Sequence, residues 1–270
     1  MTATATAAND LEVLAGVVGA VAEAGRALLL RFTPASRQDN LGSLLTAIVA
    51  NDDASTEILR PALERIRPGA RWDDDEEGRG TLGPGEWWVA DAAEGNVNHI
   101  HGSTGWGVTV TLVRDDIPVL TAVYLPATGD TYTAVRGHGA FLNGEKMSVS
   151  PKTGLAAALV GTGQAKPSED PALRRRMTAS VGAMLDHALL VSVGVPTTLQ
   201  ILPVAAGHTD TFWQYGQIRS GLVAGALLVE EAGGVVLDSH GAPWTLASED
   251  FVATTAGLAS EVTAVLSIVR

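Results

Sequence analysis

Two carboxylates that could act on one ligand follow a short apolar run at residues 87–90. Asp91 ends the run, Glu94 comes three residues later, and Gly95-Asn96 follows directly. Carboxylates this close at a strand end can face one cation or one substrate, and the amides after a glycine can begin a helix that cradles an anion. A solvated strand-to-helix turn has the same spacing, so the pair alone leaves both interpretations open.

Two further features near this pair could take part in chemistry. Residues 73–77 are five consecutive acids with no basic partner, so some should have raised pKa values or bind a cation. A solvated acidic turn is the alternative. His99 could serve as a general acid or base beside the carboxylates, although a hydrogen-bonded helix histidine is the commoner role.

The composition limits the possible partners. The chain has 270 residues, 46% of them hydrophobic, and a net charge of −12 from 18 Lys+Arg and 30 Asp+Glu. This charge predicts that neither nucleic acid nor an anionic membrane is a partner, although solubility alone also explains it. There is no cysteine, which excludes disulfides, thiolate metal sites and a cysteine nucleophile. Without a signal-peptide pattern or an apolar run of transmembrane length, we expect a cytoplasmic protein.

Periodicity predicts two layered parts, residues 1–150 and 151–270. After a tail at residues 1–9, Asp10 is expected to cap a first helix, and a second helix is expected to begin near Asp53. Alternation with period two then predicts an antiparallel meander over 106–150. Beyond it, we expect strands at 159–162, 188–193, 211–213 and 235–237, alternating with helices at 171–184, 197–206, 221–233 and 260–269.

The segment 87–102 resembles the W-V-I-D-P-I-D-G-T-T-N-F-V-H-G signature of the inositol monophosphatase superfamily. Asp91, Gly95, Asn98, His101 and Gly102 match it. Three further blocks, at 136–150, 204–214 and 223–238, are similar to the family's R-x-G-x-G-A-F-L-N-G, V-A-A-G-x-x-D-G-F-W-E and A-G-G-x-V-x-D stretches. The resemblance implies an α-β-α-β-α sandwich, an α/β layered fold, and a homodimer.

The resemblance also implies a set of Mg²⁺ ligands, through which the family's phosphatases activate a water and neutralise phosphate charge. Asp91 and Glu94 stand at the two Asp positions of the signature. The ligand at the start of the second helix corresponds to Asp53, with a helix N-cap as the alternative role. The metal-binding Glu of the acidic segment falls on Asp75 or Glu76.

At several of these positions the chain departs from the family pattern, which indicates an altered metal site. Glu94 replaces an Asp, Asn96 replaces a Thr, and Gly221 replaces the Asp that bridges to the second metal. Substrate contacts are assigned to Gly95, Asn96, Gln200, Gln214 and Arg219. The Arg219 guanidinium could occupy the charge space of the second cation, or it could point to solvent.

Three functions are compatible with this pattern. The first is an enzyme that needs no metal and performs acid/base chemistry on a small molecule, as a cyclase, isomerase or lyase, through Asp53, Asp75, Glu76, Asp91, Glu94 and His99. The second is a Mg²⁺-dependent phosphatase of a small phosphomonoester, with Asp91, Glu94 and Glu76 as metal ligands. The third is a non-catalytic binding protein. The number of changes at chemical positions favours the first.

Overall fold

Two β-sheets and the helices that cover them make up the part of the chain that the structure, a computed structural model, describes. These are residues 3–216 and 218–269, with side chains from Asn9 onward. The α-helices are α1 (Ala3–Arg31), α2 (Leu41–Ile66), α3 (Asn96–Ile100), α4 (Pro171–Leu185), α5 (Thr197–Ala205), α6 (Arg219–Glu231) and α7 (Ala259–Ser267).

The strands fall into two groups along the chain. The first sheet contains β1 (Arg71–Trp72), β2 (Glu86–Glu94), β3 (Gly107–Arg114), β4 (Ile117–Leu125), β5 (Asp130–Val135), β6 (Ala140–Leu142) and β7 (Glu145–Lys146). The second contains β8 (Leu159–Thr162), β9 (Leu190–Val193), β10 (Thr211–Tyr215), β11 (Val235–Leu237) and β12 (Asp250–Thr254).

The first sheet has its strands in sequence order, β1 to β7. All neighbours from β2 to β7 pair antiparallel, which confirms the meander, and β1 pairs parallel with β2. The second sheet has the order β11-β12-β10-β8-β9, with β8 parallel to both β9 and β10. The crossovers through α4 and α5 place these parallel strands side by side.

The layers alternate helix and sheet. On one face of the first sheet, apolar side chains of α1 and α2 pack against β3 and β4. α5 and α6 lie between the sheets, in a core that joins Val123 of β4 to Phe212 of β10 and Phe251 of β12. α4 and α7 cover the other face of the second sheet. This order is the expected α-β-α-β-α sandwich. The division at residue 150 stays a prediction, because α6 packs on both sheets.

The second helix begins twelve residues before Asp53, at Leu41. Asn40 caps it, since the Asn40 Oδ1 accepts a hydrogen bond of 3.0 Å from the Ser43 amide. Asp53 therefore lies in the helix interior, and its role as an N-cap is excluded. The expected start was wrong because Asn40, and not Asp53, supplies the N-cap side chain.

The first helix also begins earlier than expected. α1 is already helical from Ala3, so Asp10 does not cap it, while Met1 and Thr2 of the expected tail lie outside the described residues. The Asp10 carboxylate is buried and accepts hydrogen bonds of 2.8 and 3.0 Å from the Arg114 guanidinium of β3. This ion pair ties α1 to the first sheet.

Residues Asn9–Arg31 of α1 are long and apolar enough to cross a membrane by length and composition alone, so the expectation that no apolar run reaches that length is wrong. One face of the helix is nevertheless buried in the protein, where Val17, Val21 and Leu28 are almost fully covered. A core helix passes the same test, and packing against the first sheet explains the apolar sequence of α1.

We expect Leu28→Ala to lower the free energy of unfolding by about 2–5 kcal/mol, because it opens a cavity under α1. Leu30→Ala, two residues away on the same helix, is the matched control. Leu30 is 90% exposed, so this substitution should change the free energy of unfolding by no more than about 0.5 kcal/mol. Urea unfolding measures both variants. If both variants lost the same free energy of unfolding, the assignment of the buried face of α1 would be contradicted.

Candidate active site

One cavity of about 520 Å³ opens where the end of β2 meets the acidic segment, α4 and the start of α6. Of the residues that the sequence singled out, its lining includes the following: Glu76, Asp91, Glu94, Gly95, Asn96, Gln214 and Gly221. Asp53, Asp75, His99, Gln200 and Arg219 do not line it. The cavity therefore brings together about half of the predicted site.

A β-bulge directs Asp91 and Glu94 into the same cavity. Residues three apart on a regular strand point to opposite faces of the sheet. Here Asp91 lies opposite Thr109 and Glu94 lies opposite Gly107, so β2 has one more residue than β3 over this stretch. The extra residue restores a common direction. The Asp91 Oδ1 also accepts a hydrogen bond of 3.0 Å from the Ala93 amide, which fixes the carboxylate.

Gly95 makes the turn from the bulge into α3. Its φ is +75°, in the left-handed region, and a Cβ atom at this position would lie 2.6 Å from the Gly105 carbonyl oxygen and 2.9 Å from Cγ of Pro196. Only glycine meets both conditions. Because α3 begins at Asn96, the helix start expected after the glycine is confirmed, while the burial of Glu94 argues against a solvated turn.

In the acidic segment, Glu76 faces the cavity and Asp75 does not. The Asp75 carbonyl oxygen accepts a hydrogen bond of 2.8 Å from the Gly78 amide, which closes a turn. The Ser220 hydroxyl donates a hydrogen bond of 2.8 Å to the Glu76 carbonyl oxygen, which holds the segment against α6. The family's metal-binding Glu could correspond to Asp75 or to Glu76, and the structure favours Glu76.

Asp52, and not Asp53, is the α2 carboxylate directed toward this site. The Asp52 Oδ1 accepts a hydrogen bond of 2.8 Å from the Asn96 side-chain amide, whereas Asp53 is exposed. The charges of Glu76 and Asp52 both act on Asp91. The prediction of Asp53 as a site residue is thus corrected by one position.

Burial and the charge of a nearby carboxylate raise the pKa values of all four carboxyls. Burial raises the pKa of Glu94 from 4.5 to about 7, and Glu76 adds to the shift. Burial and the Glu76 charge raise that of Asp52 from 3.8 to about 7. Burial, followed by Glu94, raises the pKa of Asp91 well above its usual range. Glu76 lies at the open mouth of the cavity, yet partial withdrawal from water and the Glu77 charge raise its pKa too.

A network of amides holds Asp52 in place. Asn51 Nδ2 donates hydrogen bonds to Asn96 Oδ1 (2.8 Å) and to His99 Nδ1 (3.0 Å), and Arg31 Nε donates to Asn51 Oδ1 (2.8 Å). Asn96 then donates to Asp52 through its own Nδ2. Both protons of the Asn51 amide are used, so the network fixes the orientation of Asn96.

His99 belongs to this support and does not reach the cavity. Its Nε2 donates a hydrogen bond of 2.9 Å to the Leu28 carbonyl oxygen, so its Nδ1 is the acceptor and the ring is neutral. Burial lowers its pKa, and its ring packs edge-on at 4.6 Å from the Trp106 ring. Since both ring nitrogens are engaged, the placement of His99 does not support the predicted acid/base role.

Arg219 neither points to solvent nor enters the carboxylate cluster. Its guanidinium makes a bidentate ion pair with Asp73, with hydrogen bonds of 2.8 and 2.9 Å, and both side chains are more than 90% buried. It also donates to the carbonyl oxygens of Arg79 and Gly80. The sequence suggested that Arg219 replaces the second cation or points to solvent, and both interpretations are corrected. Arg219 instead anchors the acidic segment to α6.

Three side chains of α5 and β10 complete the surroundings of the cluster. The Thr198 hydroxyl lies 2.6 Å from the Glu94 Oε2 and donates to it, while the Thr197 hydroxyl donates to the Gln214 Oε1 (2.8 Å). Gln200 lies against Gly194, outside the cavity lining. Thr198 has no counterpart among the residues predicted from sequence.

The donor chemistry of the cluster fits a hard cation, because every candidate ligand is a carboxylate oxygen. Within residues 3–216 and 218–269, no group of three or more Asp, Glu or His side chains is close enough together to hold a metal ion. Mg²⁺ is commonly held by one or two carboxylates and keeps several of its waters. The arrangement therefore fits a cation held by few protein ligands.

Known proteins match nearly the whole chain. The model of the inositol monophosphatase family matches residues 9–268. An inositol-1-monophosphatase of Rhizobium meliloti is 32% identical over 232 residues, which cover 83% of this chain and 85% of that protein. A protein of Neisseria meningitidis serogroup B named putative Nus factor SuhB is 30% identical over 225 residues, 81% of this chain and 84% of the relative.

Solved structures agree on the fold. The inositol monophosphatase from Anabaena superposes with a TM-score of 0.79 at 23% identity and covers 97% of this chain and 98% of its own. At this identity the match shows the layered fold alone. The sequence matches support a phosphatase-type function, and they give no support to the favoured expectation of metal-independent chemistry. That the metal site is altered stays a prediction.

We expect Arg219→Met to destabilise the protein by about 3–5 kcal/mol, because it leaves Asp73 buried without its counterion. Arg79→Met is the matched control. The Arg79 side chain is 54% exposed where it pairs with Glu169, so the loss of unfolding free energy should be at most about 1 kcal/mol. Urea unfolding with and without Mg²⁺ measures both. If Mg²⁺ restored the stability of Arg219→Met, this result would instead indicate that Arg219 replaces a cation.

The raised pKa values of Asp52 and Glu94 predict how stability depends on pH. Between about pH 4 and 7 the folded protein holds protons that the unfolded chain has released, so the free energy of unfolding should fall as pH rises through this range and level off above it. We expect a lower melting temperature at pH 8 than at pH 5.5 for the metal-free protein, measured by calorimetry.

Asp52→Asn should flatten this dependence, and Asp53→Asn should leave most of it. A melting temperature that rises from pH 5.5 to pH 8 would show that these carboxyls do not repel one another as described.

Proposed function

The chain belongs to the inositol monophosphatase family, and from this premise we propose that it is a cation-dependent phosphatase that hydrolyses a small phosphomonoester in the cavity. The observation that carries the proposal is the carboxylate cluster, which has no positively charged side chain among its members. Lys166 and Arg79, the cations that line the cavity, are paired with Glu77 and Glu169 outside the cluster.

Charge explains why such a cluster needs a cation. A phosphomonoester is an anion, and carboxylates in a partly buried cavity would repel it. Asp91 and Glu94, which the bulge brings together, are the residues that would hold Mg²⁺, with Glu76 at the mouth of the cavity. The bound ion would supply a polarised water and offset the phosphate charge. Two features prepare the site for a cation. The β-bulge directs two carboxylates to one place, and the Asn96 amide holds Asp52 behind them.

Other side chains orient the ligands and the substrate. Thr198 donates a hydrogen bond to one oxygen of Glu94, which leaves the other oxygen available. Gly95 lets the chain approach the cavity closely, and the Asn96 amide stands where the family has a hydroxyl. Gln214 presents an uncharged amide to the cavity wall, so it adds no repulsion against an anionic substrate.

Metal-independent acid/base chemistry on a small molecule is the second candidate. One observation favours it: Glu94 and Asp52 have pKa values of about 7, where a carboxyl can both give and accept a proton at neutral pH. Such an enzyme would act without Mg²⁺ on substrates that carry no phosphate. A non-catalytic binding protein would turn over nothing.

The remaining expectations enter as proposals about partners and location. We propose a homodimer in the cytoplasm with a small-molecule substrate. The Neisseria relative is named a Nus factor, so a macromolecular partner is the competing possibility for this chain. Size-exclusion chromatography of the purified chain tests the dimer, and a shift of its elution on addition of RNA would indicate the macromolecular partner.

We expect release of inorganic phosphate from a panel of small phosphomonoesters in the presence of Mg²⁺, and none in EDTA. Asp91→Asn should reduce kcat at least about 100-fold, because it removes a charge that the reaction depends on. Asp53→Asn, an exposed carboxylate one residue from Asp52, is the control and should keep full activity. Turnover that is unchanged in EDTA, or that survives Asp91→Asn, would contradict the proposal.

A further inference from the structure

The cavity that contains the carboxylates continues along an apolar wall. The wall is built by α3, the first two turns of α4, the segment before α5 and the segment after β10, which contribute Val97, Leu173, Met177, Val195, Pro196 and Ile218. About half of the surface of Val97 and of Val195 is exposed (47% and 50%). These apolar surfaces face the space that a substrate would occupy.

The wall is continuous with the carboxylate end of the cavity. A Cβ atom at Gly95 would lie 2.9 Å from Cγ of Pro196, and the Asn98 Nδ2 donates a hydrogen bond of 3.3 Å to the Val195 carbonyl oxygen. Two residues after Pro196, the Thr198 hydroxyl donates a hydrogen bond to the Glu94 carboxylate. A ligand whose charged end lies at the carboxylates therefore meets this wall with its next few atoms.

The remaining charges around the cavity cancel in pairs. Outside the cluster, the charged residues of its lining are Glu77, Arg79, Lys166 and Glu169. Lys166 pairs with Glu77, and Arg79 pairs with Glu169 at 3.3 Å. The Gln214 carbonyl is likewise taken by Thr197. The lining also contains polar side chains such as Gln164 and Tyr215, but most of its surface is apolar, so apolar contact is the main interaction it offers a ligand.

We propose that the substrate is a phosphomonoester of an apolar alcohol, alkyl or aryl, and that the wall determines this specificity. The inference rests on the proposed phosphatase function and adds the substrate class. An apolar group gains by leaving water for the wall. A polyol would bury hydroxyls against Leu173, Met177 and Ile218 without partners, which costs binding energy.

Two phosphate esters test the proposal because they differ mainly in the polarity of the para substituent. 4-tert-Butylphenyl phosphate and 4-(2-hydroxyethyl)phenyl phosphate have similar size and leaving groups of similar acidity. With Mg²⁺ present, we expect kcat/KM to be about tenfold or more higher for the tert-butyl ester. Equal values, or a preference for the hydroxyethyl ester, would overturn the inference.

Substitutions in the wall show whether it is the source of the preference. Met177→Gln keeps the length of the side chain and adds an amide, so it should reduce the preference severalfold, while Met177→Leu should retain it. Leu173→Gln repeats the test at an independent position should Met177→Gln not fold. A preference that persists in the folded Gln variants would overturn the role of the wall.

The outcomes also separate the two proposals. Phosphate release that favours the polar ester leaves the phosphatase function intact and refutes the substrate class. Release from neither ester, nor from the wider panel, refutes both.

Discussion

Repulsion among four carboxyl groups is the constraint on which the rest of the site depends. Asp52, Glu76, Asp91 and Glu94 act on one another within a partly buried space where water screens their charges poorly. A protein gains nothing in stability from such a cluster, because each added charge raises the cost of the others. The cluster is understandable if a bound cation, or protons in its place, balances the negative charge during the reaction.

The fold maintains this arrangement through backbone geometry, amide hydrogen bonds and one ion pair. The bulge in β2 and the turn at Gly95 determine the direction of two carboxylates, and the amides of Asn51 and Asn96 fix a third. The ion pair of Arg219 with Asp73 anchors the acidic segment. These supports are neutral or internally balanced, so none of them reduces the negative charge of the cluster.

The sequence predicted the layered fold and the Asp91–Glu94 pair, because the period-two alternation and the signature are local features. On α2 the prediction missed by one residue: it chose the exposed Asp53 instead of Asp52, which accepts a hydrogen bond from Asn96. Neighbouring side chains on a helix point about 100° apart, so an error of one position changes the face. The partners of His99 and Arg219, Leu28 and Asp73, lie 71 and 146 residues away in sequence. β12 was not predicted, although its run Phe251-Val252-Ala253 is apolar throughout.

The most direct test is a calorimetric titration of Mg²⁺ into the wild-type protein and into two variants of Gly221, a position that lines the cavity and has room for a Cβ atom 3.4 Å from Thr197. If the cluster is a cation site, the wild type binds Mg²⁺, Gly221→Asp binds it at least about tenfold more tightly, and the neutral Gly221→Asn binds it no better than the wild type. No binding by the wild type at millimolar Mg²⁺, with no gain from the added carboxylate, would contradict the account.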